Sequence, residues 1–286
     1  MVYQRPLYYL LGLEGVALLR AFAGDYDRVF AEARISEMRR LLDIPELSGE
    51  GVQAARVSTV DGYRVWSASY DRPGNGLYPF EEPVVHQILS ELPIGIALDA
   101  ACGTGRHADY LSTLGHHVLG VDSSPDMLDL ARRRVPDAEF QEGELQQLPL
   151  PDNHADIVVC GLALTHVRDL EPVFAEFARV LRPGGHLVIS DVHQEQVTLG
   201  SVPRARSAAG EPELLPAFRH RASDYLGALC QRVCRCAVAR SLDSRATMQA
   251  RQWLSTSSQD LGMPGPGRCT ASSRRRPAPR ARERLP

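Results

Sequence analysis

The middle of the chain alternates short apolar runs with segments in which apolar residues recur at helical spacing. Residues 96–98 form one such run, and in the segment after it Ala108, Leu111 and Leu114 fall on one face of a helix. Residues 118–121 form the next apolar run. Because an uninterrupted apolar run is typical of a strand covered on both faces, the pattern predicts a β-α-β unit with parallel strands.

The same alternation continues toward the C-terminus. The pattern predicts, in order, a helix at 125–135, a strand at 137–141, a strand at 156–160, a helix at 171–181 and a strand at 186–190. Strands that alternate with helices and connect by right-handed crossovers build a doubly wound sheet. We therefore expect an α/β protein with a Rossmann-like, mostly parallel sheet that binds its ligand at the carboxyl ends of the strands.

The two ends of the chain follow other patterns. Residues 6–42 show helical periodicity with a break at Gly24, and a linker follows at residues 48–51. We therefore expect an N-terminal addition, residues 1–60, that contains two helices. Its role remains open between covering a substrate pocket as a lid, forming a homodimer and packing on the sheet. Residues 230–286 show little periodicity and predict an irregular, partly disordered tail. The α/β domain is then expected to span residues 61–229.

The turn between the first strand and its helix carries the candidate binding chemistry. Gly103 and Gly105 lack the Cβ atoms that would block a tight turn and the close approach of a ligand. Asp122, at the end of the second strand, can accept hydrogen bonds from the ribose hydroxyls of a nucleoside. Asp99 precedes the turn and would repel a phosphate but attract an amine. These charges favour a nucleoside that carries an amino acid over a dinucleotide.

Five segments resemble class I S-adenosylmethionine-dependent methyltransferases, in particular the methyltransferase type 11 group that includes ubiquinone and menaquinone methyltransferases. They are LDAACGTGR (98–106), GVDSSPDML (120–128), GELQQLPLPDNHADIVVC (143–160), ALTHV (163–167) and RVLRPGGHLVISD (179–191). The resemblance covers roughly residues 66–191. It implies S-adenosylmethionine as the cofactor and direct SN2 transfer of its methyl group to an oxygen, nitrogen or carbon nucleophile of a small molecule, with release of S-adenosylhomocysteine.

The resemblance also implies which residues contact the cofactor. They are Tyr70, Asp99, Ala101, Cys102, Gly103, Gly105, Asp122, Ser123, Met127, Glu144, Leu145 and Cys160. Asp99 is expected to act on the cofactor's amine and Asp122 to hold its ribose. Tyr70 is expected to cover the sulfonium, because a cation over an aromatic face gains roughly 0.5–2 kcal/mol. A simple role of Tyr70 in anchoring its loop remains equally open.

The remaining residues of this set have two readings each. Ser123 and Met127 are expected to flank the adenine, with helix capping and core packing as the alternatives. Glu144 and Leu145 are expected to contact the adenine amino group and ring, with a solvated loop as the alternative. Glu replaces the commoner Asp at that position of the family. Cys160 is expected beneath the methionine portion, or serves as a small buried hydrophobic residue.

His166 is the candidate catalytic residue. It is the titratable side chain that falls where the similar proteins hold their substrate, and imidazole accepts protons near neutral pH. Many methyl transfers need only correct positioning of the nucleophile, because the leaving group is neutral. A role of His166 in packing or positioning therefore remains open beside a role as general base.

Composition bears on location and partners. The apolar fraction of 44% and the charged fraction of 23% are typical of globular proteins, and no apolar run approaches the roughly 18 residues of a membrane span. No convincing cleavage site follows the apolar N-terminus, so we expect a cytoplasmic protein with no membrane partner. The basic C-terminal part lacks interleaved aromatic residues, so we expect no nucleic-acid partner. The expected partner is a small-molecule methyl acceptor, and a homodimer remains open.

Cysteine spacing and two rival functions complete the expectations. Cys230, Cys234 and Cys236 do not follow a zinc-binding C-x2-C spacing, so we expect no metal site. One rival is a catalytically impaired, methyltransferase-like protein whose C-terminus is truncated or out of frame. The other is an NAD-dependent oxidoreductase, which Asp99 and the incomplete glycine fingerprint disfavour.

Overall fold

The computed structural model describes residues 1–72, 76–207 and 209–232. The strands are β1 (Val2–Gln4), β2 (Val52–Arg56), β3 (Ile96–Ala100), β4 (His117–Asp122), β5 (Glu139–Glu142), β6 (Ala155–Gly161), β7 (Leu181–Ser190), β8 (Arg204–Arg206) and β9 (Pro212–Leu214). The helices are α1 (Pro6–Phe22), α2 (Arg28–Leu42), α3 (Pro45–Ser48), α4 (Thr59–Ser67), α5 (Tyr78–Ser90), α6 (Arg106–Thr113), α7 (Pro125–Arg134), α8 (Leu170–Val180), α9 (Gln194–Thr198) and α10 (Ala222–Arg232), with a 3₁₀ turn at Leu164–His166.

Five parallel strands form the central sheet in the order β5-β4-β3-β6-β7. The chain starts at the middle strand, winds to one edge, and then crosses back over the middle to reach the other edge. The direction of winding reverses between β3 and β6, which is where a doubly wound sheet opens a crevice at the carboxyl ends of its strands. The predicted Rossmann-like, mostly parallel sheet is confirmed.

Helices cover both faces of this sheet, which explains the uninterrupted apolar runs. Val158 and Cys160 of β6 point to one face and pack in the cluster that contains Phe174 of α8. Ile157 and Val159 of the same strand point to the other face, among side chains of α5 and α6. Every residue of the run is therefore buried, as a doubly covered strand requires.

The four remaining strands form a second sheet in the order β1-β2-β9-β8. β2 pairs in parallel with β9, and β9 pairs antiparallel with β8. The predicted helices α1 and α2 are present, but the boundary that we expected at residue 60 cuts through this sheet, since β2 and β9 lie on opposite sides of it. Strands this short show no alternation in the sequence, and their partners are distant along the chain.

Two further expectations concern the ends of the chain. Of the predicted tail, residues 233–286 lie outside the described residues, and Cys234 and Cys236 lie there too. Within the ranges described above, no helix combines the length and the apolar character needed to cross a membrane.

Candidate functional site

The turn that follows β3 exposes its backbone at the carboxyl end of the central sheet. Ala101, Gly103 and Gly105 all have positive φ angles, of 57°, 53° and 80°. A Cβ atom placed on Gly103 would meet nothing within 4 Å, so open space borders the turn. Glycine adopts this backbone conformation without steric cost. The turn therefore combines an unusual backbone with room for a ligand to approach it.

Asp122 holds this turn against the end of β4. Its Oδ2 accepts a hydrogen bond from the Gly103 amide and its Oδ1 accepts one from the Ser124 amide, both at 2.8 Å. Burial raises the pKa of Asp122 to about 6, although these two amides favour the charged form. A carboxylate has about four acceptor positions, so each oxygen keeps a lone pair for the hydroxyl of a ligand.

Asp99 and the two cysteines of the predicted set are all buried. Asp99 is only 1% exposed, its Oδ2 accepts a hydrogen bond from the Ala108 amide in the first turn of α6, and burial raises its pKa. This contact gives Asp99 a structural role, and its action on an amine stays a prediction. Burial also raises the pKa of the Cys102 and Cys160 thiols well above the ordinary value. Neutral thiols are poor nucleophiles, so neither cysteine is suited to covalent catalysis, and their contacts with the cofactor stay predictions.

The residues predicted to contact adenine lie at the carboxyl ends of β4 and β5. Met127 is fully buried, and its amide donates to Ser124 Oγ, which caps α7. Leu145 is buried in the core, whereas Glu144 is exposed and bridges to Gln147. The structure thus shows packing for Met127 and Leu145, and their contacts with adenine, like those of Ser123 and Glu144, stay predictions.

An aromatic cluster adjoins the Asp122 side of the turn. Tyr63 makes edge-on ring contacts with Trp66, Tyr70 and His166 at centroid distances of 5.3, 5.6 and 5.5 Å. Burial raises the pKa of Tyr63 and of Tyr70, and the charge of Asp122 adds to both shifts. The phenols are therefore close enough to the Asp122 carboxylate to be affected by its charge. Sequence reasoning missed Tyr63, although it lies one helical turn before Trp66.

Hydrogen bonds define the tautomer of His166. Its Nδ1 lies 2.7 Å from the carbonyl oxygen of Pro216, which can only accept, so Nδ1 carries the proton. Its Nε2 lies 3.0 Å from the Tyr63 hydroxyl oxygen, and in the neutral ring it accepts a hydrogen bond from that hydroxyl. Burial lowers the pKa of His166, which outweighs the opposite effect of the Pro216 carbonyl. His166 thus presents a neutral Nε2 acceptor toward the aromatic cluster.

A buried polar network that the sequence did not suggest supports the turn from α5. Glu81 Oε1 lies 2.9 Å from His107 Nε2 and accepts a 2.7 Å hydrogen bond from Ser190, while Arg106 lies 3.4 Å from Oε2. Burial alone would raise the pKa of Glu81, but these partners outweigh it and hold the pKa at about 2. The absence of a side chain at Gly161 provides space for the His107 ring, because a Cβ atom at this position would lie 2.5 Å from His107 Nε2. The network joins α5, α6 and the end of β7.

Comparisons with known proteins agree with this geometry. The family model for a methyltransferase domain matches residues 98–189. The malonyl-[acyl-carrier protein] O-methyltransferase of Yersinia pestis is 38% identical over 95 residues, which cover 33% of this chain and 36% of that protein. A probable S-adenosylmethionine-dependent methyltransferase of Mycolicibacterium smegmatis is 33% identical over 152 residues, 50% of this chain and 59% of that protein.

A solved structure shows the same fold. The DhpI–SAH complex has 24% sequence identity and a TM-score of 0.52, with 63% of this chain and 88% of that chain covered. The chain spans less than two thirds of the length of both curated relatives. The segment that matches the methyltransferase domain, residues 98–189, contains the glycine turn, Asp122 and His166.

Proposed function

We propose that this protein binds S-adenosylmethionine at the glycine turn and transfers its methyl group to a small-molecule nucleophile. The observation that carries the proposal is the turn itself: Gly103 has a positive φ, open space beside it and an amide anchored to the Asp122 carboxylate. A nucleoside that carries an amino acid and no phosphate fits this donor and acceptor set, because the acidic groups beside the turn would repel a phosphate.

In this proposal, different residues bind different parts of the cofactor. Asp122 holds the ribose hydroxyls with its remaining lone pairs, and the open side of the turn at Gly103 faces the methionine carboxylate. Glu144 and Ser123 border the adenine, while Tyr70 covers the sulfonium end. When bound, the cofactor supplies a methyl group on a positively charged sulfur. The leaving group is a neutral thioether, so its departure needs no acid.

His166 provides the proton acceptor in this proposal. Its Nε2 lone pair accepts the hydrogen of the Tyr63 hydroxyl, and the hydroxyl of an acceptor molecule can take the place of that phenol. The Pro216 carbonyl holds the ring in the tautomer that this step needs. Burial disfavours a charged imidazole, so the arrangement favours acceptors that give up a proton readily or that need only to be positioned.

The acceptor is proposed only as a small molecule with an oxygen, nitrogen or carbon nucleophile. The Yersinia relative is named for a malonyl-acyl-carrier-protein substrate, and a Chlorobaculum parvum relative, 40% identical over 89 residues, is named a demethylmenaquinone methyltransferase. Such different acceptors on similar domains leave the acceptor of this chain a matter for experiment. Cytoplasmic location and a homodimer stay predictions, and so does the impaired alternative, which depends on residues outside the described part of the chain.

Titration calorimetry of the full chain with S-adenosylhomocysteine tests the proposal. We expect micromolar binding by the wild type, at least tenfold weaker binding by Asp122→Asn, and unchanged binding by Asp129→Asn, a matched change at an exposed carboxylate on α7. A folded wild-type chain that does not bind refutes the proposal. Binding without methyl transfer to any phenolic, quinone-like or fatty-acid acceptor supports the impaired alternative, and saturable quenching of NADH fluorescence supports the oxidoreductase.

A further inference from the structure

A closed ring of hydrogen bonds joins three separate segments beside the proposed cofactor site. Thr104 Oγ1 donates to Asp71 Oδ1 at 2.8 Å and accepts from Arg134 Nη1 at 3.0 Å. Arg134 Nη2 donates to Asp71 Oδ2 at 2.7 Å, which closes the ring. Asp71 follows Tyr70, Thr104 belongs to the glycine turn, and Arg134 is the last residue of α7. Asp71 and Arg134 each use two polar atoms, and Thr104 uses its single hydroxyl twice, so each side chain binds both of the others.

The position of Thr104 sets this ring apart from an ordinary surface ion pair. Thr104 lies between Gly103 and Gly105 and is only 1% exposed, so its hydroxyl must find partners within the protein. The Asp71 and Arg134 side chains are 36% and 27% exposed, which leaves the ion pair partly shielded from solvent. Isolated surface pairs contribute little, but a buried hydroxyl shared by both partners couples them.

The ring also holds the residue that follows Tyr70 in the chain. The main chain links Tyr70 directly to Asp71, and the Tyr70 ring contacts Tyr63 and Tyr78 at centroid distances of 5.6 and 6.0 Å. Asp71 is thus pinned to the glycine turn on one side, and Tyr70 is packed in the aromatic cluster on the other. Release of Asp71 removes one of these two attachments of the segment that contains Tyr70.

We propose that Asp71, Thr104 and Arg134 form a latch that positions Tyr70 over the glycine turn and slows the exchange of the bound cofactor. The proposal rests on the proposed function, since the latch acts on the same binding site. None of the three residues needs to touch the reacting atoms. They are positioning residues, and the quantity that they control is the rate at which the cofactor or its product leaves.

The test compares dissociation rates of S-adenosylhomocysteine from the full-length chain by stopped-flow or surface plasmon resonance. We expect Asp71→Asn, Arg134→Met and Thr104→Val each to raise the dissociation rate by about tenfold, the range of a charge-assisted hydrogen bond. Thr104→Ser keeps the hydroxyl and should restore a rate close to the wild type. Arg132→Met, which removes a neighbouring exposed arginine of α7 that pairs with Asp129, should change the rate by less than about twofold.

Two more variants separate the latch from a general loss of structure. The Asp71→Asn/Arg134→Met double variant should dissociate no faster than either single variant, because both remove the same ring. Adding Asp71→Asn to Tyr70→Ala should have no further effect, since the latch acts through Tyr70. Additive rate increases, or latch variants that match Arg132→Met, overturn the latch while the proposed function stands. A wild-type chain that does not bind overturns both.

Discussion

Gly161→Ala should destabilise the fold, although the substitution is a single methyl group in a strand. Gly161 ends β6, and a Cβ atom there would lie 2.5 Å from His107 Nε2, 2.8 Å from His107 Cδ2 and 3.2 Å from Glu81 Oε1. Cβ contacts shorter than 3.0 Å essentially do not occur, so the His107 ring must move. The ring is only 3% exposed and bonded to Glu81, so it cannot move without breaking that bond.

The expected loss of stability follows from two free-energy costs, and both arise from the same movement of the His107 ring. Overpacking of a buried site costs about 1–3 kcal/mol. Loss of a buried hydrogen bond to a charged group costs about 1.5–3 kcal/mol. Because relief of the first cost causes the second, we expect a total of about 2–4 kcal/mol rather than the full sum.

Urea unfolding followed by far-UV circular dichroism measures this cost through the transition midpoint at constant slope. The matched control is Gly15→Ala in α1, where a Cβ would meet nothing within 4 Å and helix propensity favours Ala by up to about 1 kcal/mol. We expect the two variants to shift the midpoint in opposite directions, and the penalty of Gly161→Ala to shrink in a His107→Ala background. A Gly161→Ala chain as stable as the wild type would refute the argument.

Three other predictions follow from the titratable groups. The folded-state pKa of Glu81, about 2, lies below its ordinary value of 4.5. Glu81 therefore contributes stability that is present above about pH 4.5 and is lost as pH falls toward 2. In Glu81→Gln, the free energy of unfolding should depend less on pH between 4.5 and 2 than in the wild type. Asp122 has a pKa of about 6, so affinity for S-adenosylhomocysteine should fall about tenfold by pH 5, and calorimetry that shows no such fall contradicts the role of its ionised form. His166→Ala should lower kcat by about a hundredfold or more with little change in cofactor affinity, and an unchanged kcat would leave only a packing role.

Local pattern was enough to predict the central sheet. The apolar runs of β3, β4 and β6 are continuous because both of their faces are covered. The glycines of the turn after β3 mark a backbone with positive φ angles and open space at Gly103. Both signals lie within a few residues along the chain. The strand-helix alternation and the glycine turn are therefore visible without knowledge of any distant contact.

The candidate site was only partly accessible to the same reasoning. The resemblance pointed to His166, but not to Tyr63, which lies 103 positions away in sequence and shares its hydrogen bond. Glu81 and Asp71 look like ordinary acidic residues of a surface helix and a loop. Their partners, His107 and Thr104, follow β3 in the sequence, whereas both acidic residues precede it. No sequence pattern near either acidic residue indicates the pairing.

The sequence by itself determined the class of fold, the position of the glycine turn and the acidic residue at the end of β4, because each follows from neighbouring residues and short-range sterics. Tertiary structure alone decided that β2 pairs with β9, that His166 carries its proton on Nδ1 and leaves Nε2 unprotonated, and that Asp71 reaches the turn. Each of these depends on a partner brought near by the packing of the whole domain, and the free energy of a buried polar group depends on which partner it meets.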